Sequence, residues 1–268
     1  MSALVGLNDH ENMSATPTAE EESACFQADV RDLFATMNQL ELIDSVEDAY
    51  GELIGRRLDF VHYGPPDQIS ESRRAAANLA VIGQAQLHRA ERLMASSGTM
   101  ISQRNLYGMA LLIRGHFEST AILGYFCNRV SSFIGGHIAF DTVTAEISRA
   151  TTGGRHELFE KMPEPISIMT AIEKADRYLK HLELSETKGM LADCYAWLSE
   201  FAHPNFNSID AAIRLSQERG GFEFRHGGPL SEGEIEQLGY LDISAGLFVR
   251  LFDELSALSE KAFGPSHS

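Results

Sequence analysis

The stretch from Leu106 to Cys127 constrains this chain more than any other. On a helical projection it is apolar on nearly every face, through Leu106, Met109, Leu111, Leu112, Ile113, Phe117, Ile122, Leu123 and Phe126. A surface helix shows a polar face, so a helix that is hydrophobic all round belongs at the centre of a fold, with other elements packed around it. The pattern extends from about Ser102 to Val130. Within the oily stretch three side chains ionise in the neutral range or carry a permanent charge: Arg114, His116 and Glu118. Arg114 and Glu118 are four apart and share a face, whereas His116 points roughly the other way. Arg before Glu is the weaker order for supporting an isolated helix, so surface stabilisation is a poor account of the pair. Two buried charges need partners, because an unpaired one costs several kcal/mol.

The rest of the chain reads mainly as helix. Residues 1–24 are rich in Ser, Thr and Glu with few large apolar groups, and are expected to be a disordered acidic tail. From about Gln27 a three-and-four periodicity runs through Val30, Phe34, Ile43, Val46, Tyr50 and Ile54 to a stop at Tyr63–Pro66. Ser70 is placed to cap the next helix, with Gly98 as its C-terminal stop. Glycines and prolines break residues 131–165, leaving a short helix near 138–149. Helices resume over about 166–182 and 186–202, the second ended by Pro204, which disfavours helical geometry at His203.

Residues 209–226 change period: Ile209, Ala211, Ile213 and Leu215 alternate with polar neighbours, then Gly220–Gly221 leads into Phe222 and Phe224, which predicts a β-hairpin. A capping box at Ser231 and Glu234 opens a last long helix. The expected fold is therefore mostly α, a helical bundle around a buried central helix with one small late hairpin. Residues 25–263 read as a single domain and 264–268 as a flexible end.

Partners for the buried pair are expected from the segment Cys194–Pro204. Leu191, Tyr195, Leu198 and Ala202 face the core there, with Tyr195, Ser199 and His203 rising as a ladder of polar tips. His203, near a helix C-terminus, meets a negative dipole end that favours its protonated form, and a neighbouring Glu118 would act in the same direction. An Arg-x-x-x-Glu in a very apolar helix, followed after a long gap by Tyr-x-x-Leu-Ser-x-x-x-His-Pro, resembles a bacterial helical family of unknown function loosely related to the HEPN bundles. The resemblance covers roughly residues 105–208 and falls on Arg114, Glu118, Tyr195, Ser199 and His203. HEPN proteins that cut RNA do so without metal, with an Arg stabilising phosphate charge and, after four to six intervening residues, a His moving a proton. Arg56 or Arg57 to His62, and Arg219 to His226, have about that spacing, but both lack the usual polar residue after the Arg.

Two readings follow. In the first, the chain is a cytoplasmic interaction or regulatory protein whose Arg/Glu/Tyr/Ser/His cluster fixes helix register. In the second, the resemblance implies a metal-independent ribonuclease or phosphoester-handling enzyme, in bacterial defence or stress. There His203 would be the acid or base, Glu118 would orient it and Arg114 would hold an anion, with Tyr195 and Ser199 binding. Neither reading needs a cofactor or a metal. Glu200-x-x-His203 matches one half of a di-iron motif, but the second Glu-x-x-His, Glu223 to His226, falls in the hairpin. No phosphate-binding glycine loop or nucleophile elbow occurs.

Charge narrows the partners. With Lys+Arg 22 against Asp+Glu 38 the net charge is -16, which disfavours RNA and leaves DNA unexpected, although a local basic patch is compatible with it. A protein partner or a second copy of the chain fits better. The beginning of the sequence lacks a basic start followed by an apolar run, and no stretch is long and apolar enough to span a membrane, so no membrane association is expected. Cys25, Cys127 and Cys194 are widely separated and odd in number, the usage of a reducing cytoplasm.

Overall fold

The computed structural model describes residues 25–65, 69–154, 156, 158, 161–184, 189–224 and 232–264, the side chains of 232–236 excepted. The tail over 1–24, the end over 265–268, the capping box at Ser231 and Glu234, and His226 of the second Arg/His spacing lie outside the residues described in that detail. Among the described residues nine helices and one hairpin follow in the order α1 (Ala28–Thr36), α2 (Leu40–Gly55), α3 (Glu71–Ser102), α4 (Leu106–Ile134), α5 (Phe140–Thr152), α6 (Ile168–His181), α7 (Met190–Ala202), α8 (Phe206–Asp210), β1 (Ile213–Ser216), β2 (Gly221–Phe224) and α9 (Glu232–Phe263).

The oily helix is the centre of this bundle. α4 packs against α3, α6, α7 and α9, with α5 near its end. Ile113, Phe117, Ala121, Leu123, Phe126, Cys127 and Val130 are buried. Asn105 caps its start by accepting from the Gly108 N–H at 2.9 Å. Its enclosure is not complete, since Leu111 is half exposed. Close approach to α6 depends on Gly124: a Cβ there would lie 2.6 Å from the Ala175 Cβ and 3.0 Å from its Cα. No side chain fits at that distance without moving a backbone.

Three boundaries depart from the periodicity. The first helical run is two helices, broken at Met37–Gln39, where Asn38 adopts φ 56 and the Phe34 carbonyl accepts from the Met37 and Gln39 N–H groups. Apolar spacing survives the break because Phe34 and Ile43 point into one core. Ser70 does cap α3, accepting from the Arg73 N–H at 3.2 Å, but Gly98 does not end it. That glycine is buried, and a Cβ on it would sit 2.8 Å from the Cys25 carbonyl oxygen. It serves a close crossing and not a stop. Ile209, expected in the hairpin, lies in α8, whose start is capped by Asn205 accepting from the Ser208 N–H.

The hairpin is antiparallel, pairing Ile213 with Phe224 and Leu215 with Phe222. Its principal neighbour among the described elements is α8.

Gly124→Val puts a branched side chain where α4 meets Ala175 and should destabilise the fold by about 2–3 kcal/mol. Urea unfolding followed by circular dichroism checks this, and an unchanged midpoint would show that α4 and α6 can separate without cost.

Candidate functional site

α7 carries Tyr195 to α4 because both ends of α7 are fixed. Its start follows Gly189, at φ 93, and the Asp176 carboxylate on α6 accepts from the Leu191 and Ala192 N–H groups at 2.8 and 3.2 Å. Two otherwise unsatisfied helix-terminal donors are thereby satisfied. Burial raises the Asp176 pKa, and those two backbone donors act against the rise. At the far end His203 is extended (φ -107, ψ 147), as Pro204 requires. Leu191, Cys194 and Leu198 bury one face of the helix.

Arg114, Glu118 and Tyr195 meet. The Arg114 Nη2 donates to the Tyr195 hydroxyl at 2.6 Å, and the guanidinium carbon stands 4.6 Å from the Tyr195 ring centroid. Arg114 Nε approaches Glu118 Oε1 at 3.8 Å, and the Tyr195 hydroxyl lies 3.5 Å from the same oxygen. The charges are half-buried, with 24% and 27% of the Arg114 and Glu118 side chains exposed, so they are less desolvated than an enclosed helix implies.

A residue that the sequence did not single out completes the cluster. Arg89 reaches across from α3, donating from Nη2 to Glu118 Oε2 at 3.0 Å and from Nη1 to the Gly115 carbonyl at 2.6 Å and the Ser119 hydroxyl at 2.7 Å. In the sequence Arg89 stands among Gln86, His88, Glu91 and Arg92, and nothing in that polar run marks it out.

Ser199 and His203 do not join. The Ser199 hydroxyl donates to the Tyr195 carbonyl of its own helix at 2.7 Å. His203 is exposed, and its imidazole makes no hydrogen bond or ion pair with a described residue. The expected contact between His203 and Glu118 is not formed, because a ladder of residues four apart climbs along the helix, ~12 Å over eight residues, while α4 meets it at Tyr195. Glu200 accepts from Asn205. Among the described residues no three His, Cys, Asp or Glu side chains cluster as a metal set would.

The other Arg/His spacing is equally occupied. Arg57 forms a two-point pair with Glu91, Nε to Oε2 at 2.8 Å and Nη2 to Oε1 at 2.7 Å, and the His62 ring packs edge-on against Phe60. The three thiols are buried and unpaired, and burial raises each, Cys25 to about 12 and Cys194 to about 11, which makes them packing groups and not nucleophiles. A cavity of about 420 Å³ lies elsewhere, between α3 and α9 beside Leu58.

The opposite face of α4 holds a second polar group. His116, wholly buried, has its Nδ1 2.7 Å from the Ser244 hydroxyl of α9, which is 3.0 Å from the Thr120 hydroxyl. Burial, aided by the positive charge of Arg89, lowers the His116 pKa from 6.5 to about 3. This imidazole and serine have no access to a substrate. Comparison with known proteins finds no matching family, no matching curated protein and no matching solved structure.

His116 titrates near 6.5 when unfolded and near 3 when folded, so the unfolded chain binds the extra proton between those values. Its contribution to stability is complete above the unfolded value and is lost as pH falls towards the folded one, by ~1.4 kcal/mol per pH unit. His116→Gln should flatten the dependence of the urea midpoint on pH between about 7 and 4 relative to wild type. An unchanged slope would show that His116 is protonated in the fold.

Proposed function

We propose that this chain is a cytoplasmic helical interaction or regulatory protein in which Arg89, Arg114, Glu118 and Tyr195 set how α3, α4 and α7 pack. One observation carries this reading: both Glu118 oxygens face guanidiniums from two different helices, and the cluster of described residues holds no imidazole. Apart from His203, the expected candidates for chemistry have structural partners instead. Ser199 bonds its own helix, and Arg114 is held by the tyrosine. A polar network of this kind resists slippage of one helix along another, because a shift leaves half-buried charges without partners.

The cytoplasmic assignment is supported by three buried, unpaired cysteines. Among the described residues no helix is long and apolar enough to cross a membrane. With a net charge of -16, a protein partner or a second copy is favoured over nucleic acid.

A second reading keeps the HEPN-like ribonuclease, or a related phosphoester-handling enzyme. It is favoured by the excess of cation at the cluster: two guanidiniums, with 43% of Arg89 exposed, face one carboxylate. Such a site could hold a phosphate. It would need a proton carrier from elsewhere, and His203 is the group that reading requires.

Glu118→Gln, Arg89→Ala and His203→Ala separate the two. Under the interaction reading Glu118→Gln and Arg89→Ala each lower stability by about 1–2 kcal/mol. His203→Ala leaves the melting temperature unchanged, and wild type does not degrade RNA. Metal-free RNA cleavage that disappears in a folded His203→Ala chain would overturn it.

A further inference from the structure

The hairpin and α8 expose more large apolar surface than a solvated ornament needs. Phe206 is 76% exposed, Ile209 53%, Leu215 62%, Phe222 65% and Phe224 69%, all within one short length of chain. Cross-strand pairing places Leu215 directly opposite Phe222, so both project from the same face of the hairpin. The other face is polar and internally matched: Arg214 pairs in register with Glu223, and Arg219 lies 3.3 Å from Glu223. A two-stranded hairpin is at best marginally stable in water unless its apolar face packs on something. Its principal neighbour among the described elements is a helix of five residues.

We infer that this face is the contact between two copies of the chain, hairpin against hairpin, related by a two-fold axis. Charge singles out a second copy. The chain carries -16, so two copies repel over most of their surfaces. Between Phe206 and Phe224 the charges are Asp210, Arg214, Glu218, Arg219 and Glu223, which sum to -1. α8 and the hairpin are therefore a nearly neutral apolar spot on an acidic protein, where two copies approach with little net repulsion. A strongly basic partner would be drawn to the acidic body and not to this spot.

The area agrees with a modest dimer. Aromatic side chains bury ~150–250 Å² each, so the exposed parts of these five residues amount to about 600 Å² per copy. Two copies would cover about 1,200 Å², the lower edge of what stable interfaces bury. A Kd of micromolar order is expected for a contact of that size. The contact is isologous, with Phe222 and Leu215 of each copy facing those of the other. This rests on the interaction reading above but not on the role of Glu118, and the two fail separately: RNA cleavage would overturn that reading and leave the dimer standing.

Sedimentation velocity of the full chain from about 1 to 100 µM tests it. Wild type should shift with concentration from the 29.6 kDa monomer towards twice that mass. Leu215→Glu and Phe222→Glu should each weaken the dimer at least ~10-fold, while Phe222→Leu keeps it. Raising NaCl should tighten association, since salt screens the repulsion of the two bodies. Because a Glu variant could simply unfold the hairpin, amide exchange supplies a second measurement on wild type. Protection over residues 213–224 should rise with concentration, with α4 unchanged. A chain that stays monomeric throughout, or a dimer untouched by both Glu variants or loosened by salt, overturns the inference.

Discussion

A helix enclosed as α4 is by α3, α6, α7 and α9 has little water to turn its polar groups towards, and each must find its partner within the protein. The rest of the bundle meets most of that requirement, leaving Arg114 Nε and His116 Nε2 without a hydrogen-bond partner among the described residues. α6 comes close enough to exclude a Cβ at Gly124. α7 is pinned by Asp176 so that Tyr195 arrives at Arg114, and α3 contributes an arginine that crosses to Glu118.

The two polar faces of α4 solve the problem differently. Towards α9, His116, Thr120 and Ser244 form a fully buried group in which the imidazole is too deeply buried to ionise cheaply. Towards α3 and α7 the groups are charged, and they sit at the bundle's margin, where partial exposure limits the desolvation cost. One helix thus holds neutral polarity in its interior and ionic polarity at its edge. On the charged side the Glu118 carboxylate faces the guanidiniums of Arg89 and Arg114.

Much of the fold was legible because periodicity reports burial directly. The central helix, the Ser70 cap, the end of α7 before Pro204 and the late hairpin each follow from a local rule that the tertiary structure does not override. Asn38 and Gly98 show where that rule stops. Asn38 breaks a helix without disturbing the apolar spacing, whereas Gly98 has the residue type of a terminator and is instead a crossing point. The site was legible in part. Arg114, Glu118 and Tyr195 could be paired from spacing and burial, whereas Arg89 could not. His203 was expected beside Glu118, but it lies just beyond the end of α7 and does not reach the cluster.

By itself the sequence determined that a helix apolar on nearly every face must be enclosed and that the three ionisable residues Arg114, His116 and Glu118 on it needed partners. Tertiary structure alone decided which partners those were. Helical periodicity fixes the direction in which a side chain points around its own axis, but the height at which one helix crosses another depends on packing across the whole bundle. That crossing brings Tyr195 and Arg89 to the pair and leaves His203 in water.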